Sequence, residues 1–494
     1  MLMKKAKFIL IVAAMALGVI AATACQSALV QTSAAQPANS PQPTSNYVGE
    51  FSINPSHAPI GATVSAVGKG FASNTELELV WEGFTGTWNV AGGNYTGRTF
   101  TDAMQSLGKV ETDASGGFQT TFTVPSGFGF GHDVLLEKQN QVENKSNFNV
   151  DMQVSISPSS GSVGTPITIE AQGIGWRPLE NSPEVIYDNK FTGWISSVTT
   201  DGIAHATITA VGPPGKHIIQ IIHGSFTFPY MNVQQSPVSY LPSWTFEFTV
   251  TDGTAVQPPS TQDQSLPIEK GPGKPDSTTG PAIWTDIASG TVGTPVTLQG
   301  SGLPAGKQLD LLWFRVVGNR VSGHGFNEAS VSLGKVTVGA DGTIMFPFEA
   351  LDDLGGLHRI EVQDAGTKLA ETSFTITPSA FAISPSSGPA GTTITIHLKG
   401  VGWTQTANIY TLVYDNAYVG YACGFNSQGD VVVHLPATGD PGWHYIDLYP
   451  AIYTGTDMSQ TNNLRIPQLT FKDDHPGEKL PAFHFAFLMT EGGN

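Results

Sequence analysis

Apolar and polar residues alternate in short runs along most of the chain. At residues 75–81, Thr-Glu-Leu-Glu-Leu-Val-Trp puts Leu77, Leu79 and Trp81 on one face, as in a half-buried strand. Residues 309–313, Leu-Asp-Leu-Leu-Trp, repeat the pattern. Residues 166–171, 185–189, 203–210, 216–222 and 244–250 are further runs of strand length. Gly, Pro, Asn, Asp and Ser cluster between the runs, roughly every 8 to 12 residues, so the predicted elements are strands joined by tight turns. Residues 110–122 read as a hairpin that turns at 113–117.

The runs recur. Residues 383–403 read ISPSSGPAGTTITIHLKGVGW and residues 156–176 read ISPSSGSVGTPITIEAQGIGW, 227 positions apart (383 − 156). Looser copies begin near Ile53 and Ile287. Tyr187-Asp188-Asn189 and Gly215-x-His217 return at the same offset as Tyr414-Asp415-Asn416 and Gly442-x-His444. Leu241-Pro-Ser-Trp244 returns as Leu480-Pro-Ala-Phe483 at an offset of 239, so twelve residues (239 − 227) are inserted before the last strand. Trp81 and Trp313 differ by 232, but Leu107 and Leu333 by 226. A length difference therefore lies between Trp81 and Leu107, where a surface loop is expected. The plan is A–B–linker–A–B: A1 at 49–151, B1 at 152–252, a Pro/Gly/Ser linker at 253–282, A2 at 283–378 and B2 at 379–494. The short A–B junctions predict a fixed angle, and the long linker predicts freedom between the two units.

Strand runs of this kind in domains of about 100 residues imply an all-β chain of four tandem immunoglobulin-like sandwiches. The openings, with Pro-Ser-Ser-Gly, Gly-Thr and Thr-Ile-Thr-Ile runs ending in Gly-x-Gly-Trp, resemble the IPT/TIG and bacterial Ig-like families of exported proteins. B1 and B2 match well, A1 and A2 in outline. The resemblance implies a sandwich used as a spacer or binding module, and it settles no function by itself.

Residues 1–24 read as a signal peptide: Lys4, Lys5 and Lys7, an apolar run 8–20, then small residues. Ala22-Thr23-Ala24-Cys25 resembles a bacterial lipobox. That resemblance implies cleavage before Cys25, lipid on its sulfur and a membrane partner through that lipid; the same Ala-Thr-Ala also suits ordinary secretion. Residues 25–48 are Ser-, Thr-, Ala-, Gln- and Pro-rich and read as a tether. The formal charge of −17, with 23 Lys+Arg and no basic cluster after residue 7, argues against nucleic acid as a partner.

Candidate chemistry is sparse. His132, His217, His358 and His444 hold one position in the four domains, each close after a glycine. One per domain does not make a metal site, so each is expected to tie its strand to a loop. The two Tyr-Asp-Asn triplets read as turns, with a sugar contact as the sharper alternative. Trp81, Trp313, Trp176 and Trp403 are expected in cores. The best candidate is the loop before each last B strand: Phe226, Phe228, Tyr230 and Tyr240 in B1, Tyr453 and Phe471 in B2. Such loops serve either as ligand contacts or as an extra edge hairpin. Asp473-Asp474-His475 reads as a solvated turn. Cys423 stands where B1 has Ser196 and is expected to be a buried, inert thiol. No catalytic or cofactor motif is present, so no enzyme and no cofactor are expected. The expectation is a surface lipoprotein for adhesion or structural presentation, with protein or glycan as possible ligand. The rival is an accessory carbohydrate-binding protein that hands polysaccharide to an enzyme or transporter.

Overall fold

The computed structural model describes residues 47–225, 228–237, 239–275, 280–318, 326–453 and 465–492. In A1, Glu50–Asn54, Thr63–Lys69 and Phe118–Thr123 form a three-stranded sheet. The facing sheet runs in the order His57–Ala58, Gln141–Val150, Phe130–Lys138, Glu76–Ala91, Asn94–Glu111. The same two-sheet plan recurs in B1, A2 and B2. In every domain a short early strand pairs in parallel with the last strand: His57 with Asn149, Ser160 with Thr249, Ser289 with Thr375, Ser387 with Leu488. The opening segment thus changes sheets, and the four domains are immunoglobulin-like sandwiches. The alternation read from sequence is what fills them. Thr63–Lys69, for instance, buries Val64 and Ala66 and turns Thr63 and Lys69 outward.

Residues 110–122 differ from expectation. The turn is present, with Asp113 N donating to Gly117 O at 2.8 Å. Its flanking strands enter opposite sheets, because Phe118–Thr123 pairs with Thr63–Lys69 and Asn94–Glu111 pairs with Glu76–Ala91. Turn chemistry sets the reversal but does not choose the pairing partner.

Trp81 and Trp313 are core residues, as expected. Trp176 and Trp403 are not: they are half-buried and lie at the A–B junctions, Trp176 stacked on Phe84 at 3.8 Å and Trp403 5.3 Å from Phe326. The Gly-x-Gly-Trp corner is a docking surface. Gly129 N donates to Ile174 O and Gly355 N to Val401 O, both at 3.0 Å. A Cβ on Gly129 would lie 1.7 Å from Gly173 O, and one on Gly355 2.0 Å from Gly400 O. Only glycine permits this approach, which fixes the angle of each A–B unit.

The linker is not slack. Val256 N donates to Val163 O in B1 at 2.9 Å, and Tyr445 Oη of B2 donates to Val256 O at 2.7 Å. Gln264 exchanges two hydrogen bonds with the backbone of His484 (2.6 and 3.0 Å), and Gly271 N donates to Asp286 O of A2. The B1 core also continues into B2 through Val413, Tyr445, Tyr449, Leu469, Phe471 and Ala482. The expected freedom between units is therefore absent. Composition reports what a segment can do alone, and here the neighbouring surfaces hold it.

Candidate binding surface and the joint beside it

The two length differences of the duplicated unit meet at one buried joint. The A1 hairpin Glu76–Ala91/Asn94–Glu111 is six residues longer between Trp81 and Leu107 (26 against 20) than its A2 counterpart. Its tip reaches B2: Gln405 N donates to Gly93 O at 2.7 Å and Tyr95 N to Gln405 Oε1 at 2.9 Å. The B2 insertion crosses to B1. Trp194 N donates to Pro467 O and Leu469 N to Trp194 O, both at 2.9 Å, so the loop pairs with the neighbouring domain's edge. At the centre Asp474 is fully buried and accepts from Trp88 Nε1 (2.8 Å), Val198 N (2.7 Å), Thr199 N (2.8 Å) and Thr199 Oγ1 (2.7 Å). Trp88, Tyr95, Trp194, Val198, Ile452 and Ile466 pack as one apolar cluster drawn from A1, B1 and B2.

This joint corrects part of the sequence reading. Phe471 and Tyr453 are buried, at 6% and 8% exposure, and neither offers a ring to a ligand. Phe471 belongs to the shared B1–B2 core, and Tyr453 packs with Ile409 and Phe425. Asp473 is exposed, but Asp474 and His475 are not a solvated turn: His475 Nδ1 lies 2.6 Å from Gln468 Oε1, and Nε2 2.7 Å from Thr406 O. Cys423 is half-buried against the cluster of Ile409, Phe425 and Tyr453. Cys25 and Phe226 lie outside the described residues.

The recurring histidines and Tyr-Asp-Asn triplets form one device. His217 Nδ1 lies 2.6 Å from Asp188 Oδ2 and Nε2 2.8 Å from Pro213 O; His444 sits likewise on Asp415 (2.5 Å) and Asp440 O (2.8 Å). The tyrosines stack on these rings at 5.6 Å and donate to Val211 O and Thr438 O. In A1 and A2 the rings stack on Trp81 and Trp313 instead and face two backbone carbonyls each. Each histidine ties its strand to a loop, as expected.

What remains open to solvent is the B1 loop. Phe228, in Phe228–Pro229, is 42% exposed and 5.6 Å from Phe191; Met231 is 78% and Tyr240 64% exposed, while Tyr230 is half-buried. Titratable groups lie beneath the loop. Glu180 is buried, which raises its carboxyl pKa, and its Oε1 accepts from Tyr240 Oη at 3.5 Å. His223, also buried, faces Pro242 O through Nδ1 at 3.3 Å; burial pushes its pKa down to about 4. On the strand Pro183–Tyr187, Glu184 is fully buried with both carboxyl oxygens unpartnered, and burial pushes it up to about 9, so it is a neutral acid at pH 7. At the offset of 227, B2 has Ala407, Pro450 and Thr411 at these three positions. That contrast was visible in the sequence. The burial that gives it weight was not.

No family model and no curated protein matches the chain. Among solved structures, alpha-2-macroglobulin of Salmonella, reacted with methylamine, aligns over 90% of this chain and 31% of its own, at 11% identity and a TM-score of 0.18. The native conformation of E. coli alpha-2-macroglobulin aligns over 88% and 30%, at 11% identity and 0.17. A putative membrane anchored protein from Corynebacterium diphtheriae aligns over 66% and 91%, at 13% identity and 0.18. The chain spans less than a third of the two macroglobulin chains. Overlap at these scores is too low to transfer domain arrangement or function.

Proposed function

We propose that this chain is a non-catalytic envelope protein, tethered through lipid on Cys25, that holds a binding surface on a stiff support for adhesion or structural presentation. The observation that carries the reading is the joint at Asp474. Two segments longer than their counterparts, one in A1 and one in B2, meet there and bind A1, B1 and B2 together. Extra residues added to an enclosed joint serve stiffness, which a presenting scaffold needs. The IPT/TIG-like openings fit the same use. Of the B2 loop, the described residues 465–475 lie in the joint, and Tyr453 and Phe471 are buried.

The anchor is tested by substitution. Cys25→Ser is expected to move the protein from the membrane fraction to the soluble one, and mass spectrometry of the wild type should find acyl chains on Cys25. Unchanged membrane association of the variant would sink the lipid anchor. The second reading, carbohydrate binding for a partner enzyme or transporter, is favoured by the exposed rings of Phe228 and Tyr240.

A further inference from the structure

We propose that the B1 end bearing Tyr240 is a stacking site for a neutral sugar ring, with Tyr240 and Arg177 touching the ligand and Glu180 and His223 positioning them. This rests on the carbohydrate-binding reading above and gives it residues.

The first ground is that this set of groups is particular to B1, although Glu180 Oε2 also accepts from Arg177 N at 3.3 Å in the local turn. At the equivalent positions B2 has Thr404 for Arg177, Ala407 for Glu180, Pro450 for His223 and, at the later offset of 239, Lys479 for Tyr240. The sister sandwich closes this end with a different set: the hydroxyls of Thr404 and Thr406 donate to Glu478 Oε2 (3.5 and 3.3 Å), and His475 Nε2 lies 2.7 Å from Thr406 O. Burying a carboxyl and an imidazole costs free energy that small or apolar residues avoid. A titratable cluster whose make-up differs between two copies of one fold is not dictated by that fold and is a candidate site.

The second ground is an unpartnered group inside the cluster. His223 is 93% buried (7% exposed), and its Nε2 has no hydrogen-bond partner. Its Nδ1 faces Pro242 O, two residues past Tyr240, so the imidazole sits under the base of the loop segment that carries the ring.

The third ground is geometry. Tyr240 is anchored by its hydroxyl to Glu180 while most of its surface faces solvent. Arg177 Nη1 lies 3.9 Å from the same Glu180 oxygen, and its guanidinium rests 5.2 Å over Trp176. Trp176 is in turn stacked on Phe84 of A1. A ring held by its edge beside a half-exposed guanidinium on a stacked floor matches a sugar, whose C–H face packs on an aromatic ring and whose hydroxyls take a planar donor fork. The chain's formal charge of −17 favours a neutral glycan over an anionic one.

The test is calorimetric titration of the full chain with cellohexaose, laminarihexaose and chitohexaose, with circular-dichroism melting to confirm that each variant folds. The wild type should bind at least one probe. Tyr240→Ala should weaken that binding about tenfold or more, a loss of one stacked ring. Tyr240→Phe, which keeps the ring, should weaken it less. Glu180→Ala should weaken it and Glu180→Gln should restore most of it, since the amide oxygen still accepts from Tyr240. Probe binding that Tyr240→Ala leaves unchanged overturns this site and leaves the carbohydrate reading standing. No binding of any probe by the wild type overturns both.

Discussion

The same histidine position is solved in two electrostatic ways. In B2, burial disfavours charge on His444, but the hydrogen bond and the negative charge of Asp415 outweigh it and its pKa is raised from the usual value of 6.5. In A1, burial dominates, the partners are carbonyl oxygens, and His132 is lowered from the same value. The signs of the resulting pH dependence are opposite. His444 stabilises the fold fully below about pH 6.5 and loses that contribution as pH rises through its raised pKa. His132 contributes above about pH 6.5 and loses it as pH falls through its lowered pKa. In an NMR titration the His444 ring should titrate at higher pH than the His132 ring, and Asp415→Asn should lower His444 alone. Coincident titration of the two rings would contradict this account. The four histidines were legible in the sequence as strand ties. Their link to Tyr-Asp-Asn was not, because Asp188 and His217 are 29 residues apart and only the sheet pairing joins them.

Length differences between repeats invite a loop reading, and here that reading fails for a physical reason. Alternation names strands well, but a strand continued past its own domain keeps the same alternation. The A1 hairpin runs sixteen and eighteen residues for this reason, well beyond the run recognised at 75–81. The B2 insertion looked like a ligand loop because aromatic residues suit both a binding surface and a buried joint. Asp474 gives the element-scale test. Asp474→Ala leaves the indole N–H of Trp88 and the amides of Val198 and Thr199 without an acceptor in the interior. Leaving a buried donor without its acceptor costs about 1–3 kcal/mol. Amide exchange at Val198 and Thr199 should accelerate strongly, and the first unfolding step in urea should move to lower denaturant. Exchange in the A1 core at Val134 and Leu136 should be unchanged, because that core is closed by its own sheets. Equal acceleration in both places would mean that the joint is not a separate element.

At the scale of the whole molecule, the question is whether the 253–282 segment joins two bodies or merely crosses one. Its sequence gives the first answer, since Pro, Gly and Ser dominate it. The structure gives the second. Val256, Gln264 and Gly271 are hydrogen-bonded in turn to B1, B2 and the start of A2, and the B1 core runs on into B2. Duplicated units would swing freely only if their facing surfaces were solvated, and these are packed: Val413, Tyr445, Tyr449 and Leu469 of B2 are buried among B1 residues, and Thr192 Oγ1 donates to Asn416 O across the contact at 2.8 Å. Covalent continuity should therefore be dispensable for association once the chain has folded. A protease site placed within the linker and cut in the folded protein should leave A1–B1 and A2–B2 together in native mass spectrometry and in gel filtration. Combining the cut with Asp474→Ala and Leu469→Ala should release them, because the cut chain then keeps neither its joint nor the full apolar contact. Immediate separation of the halves after the cut alone would show that the linker, not the interface, holds the molecule together.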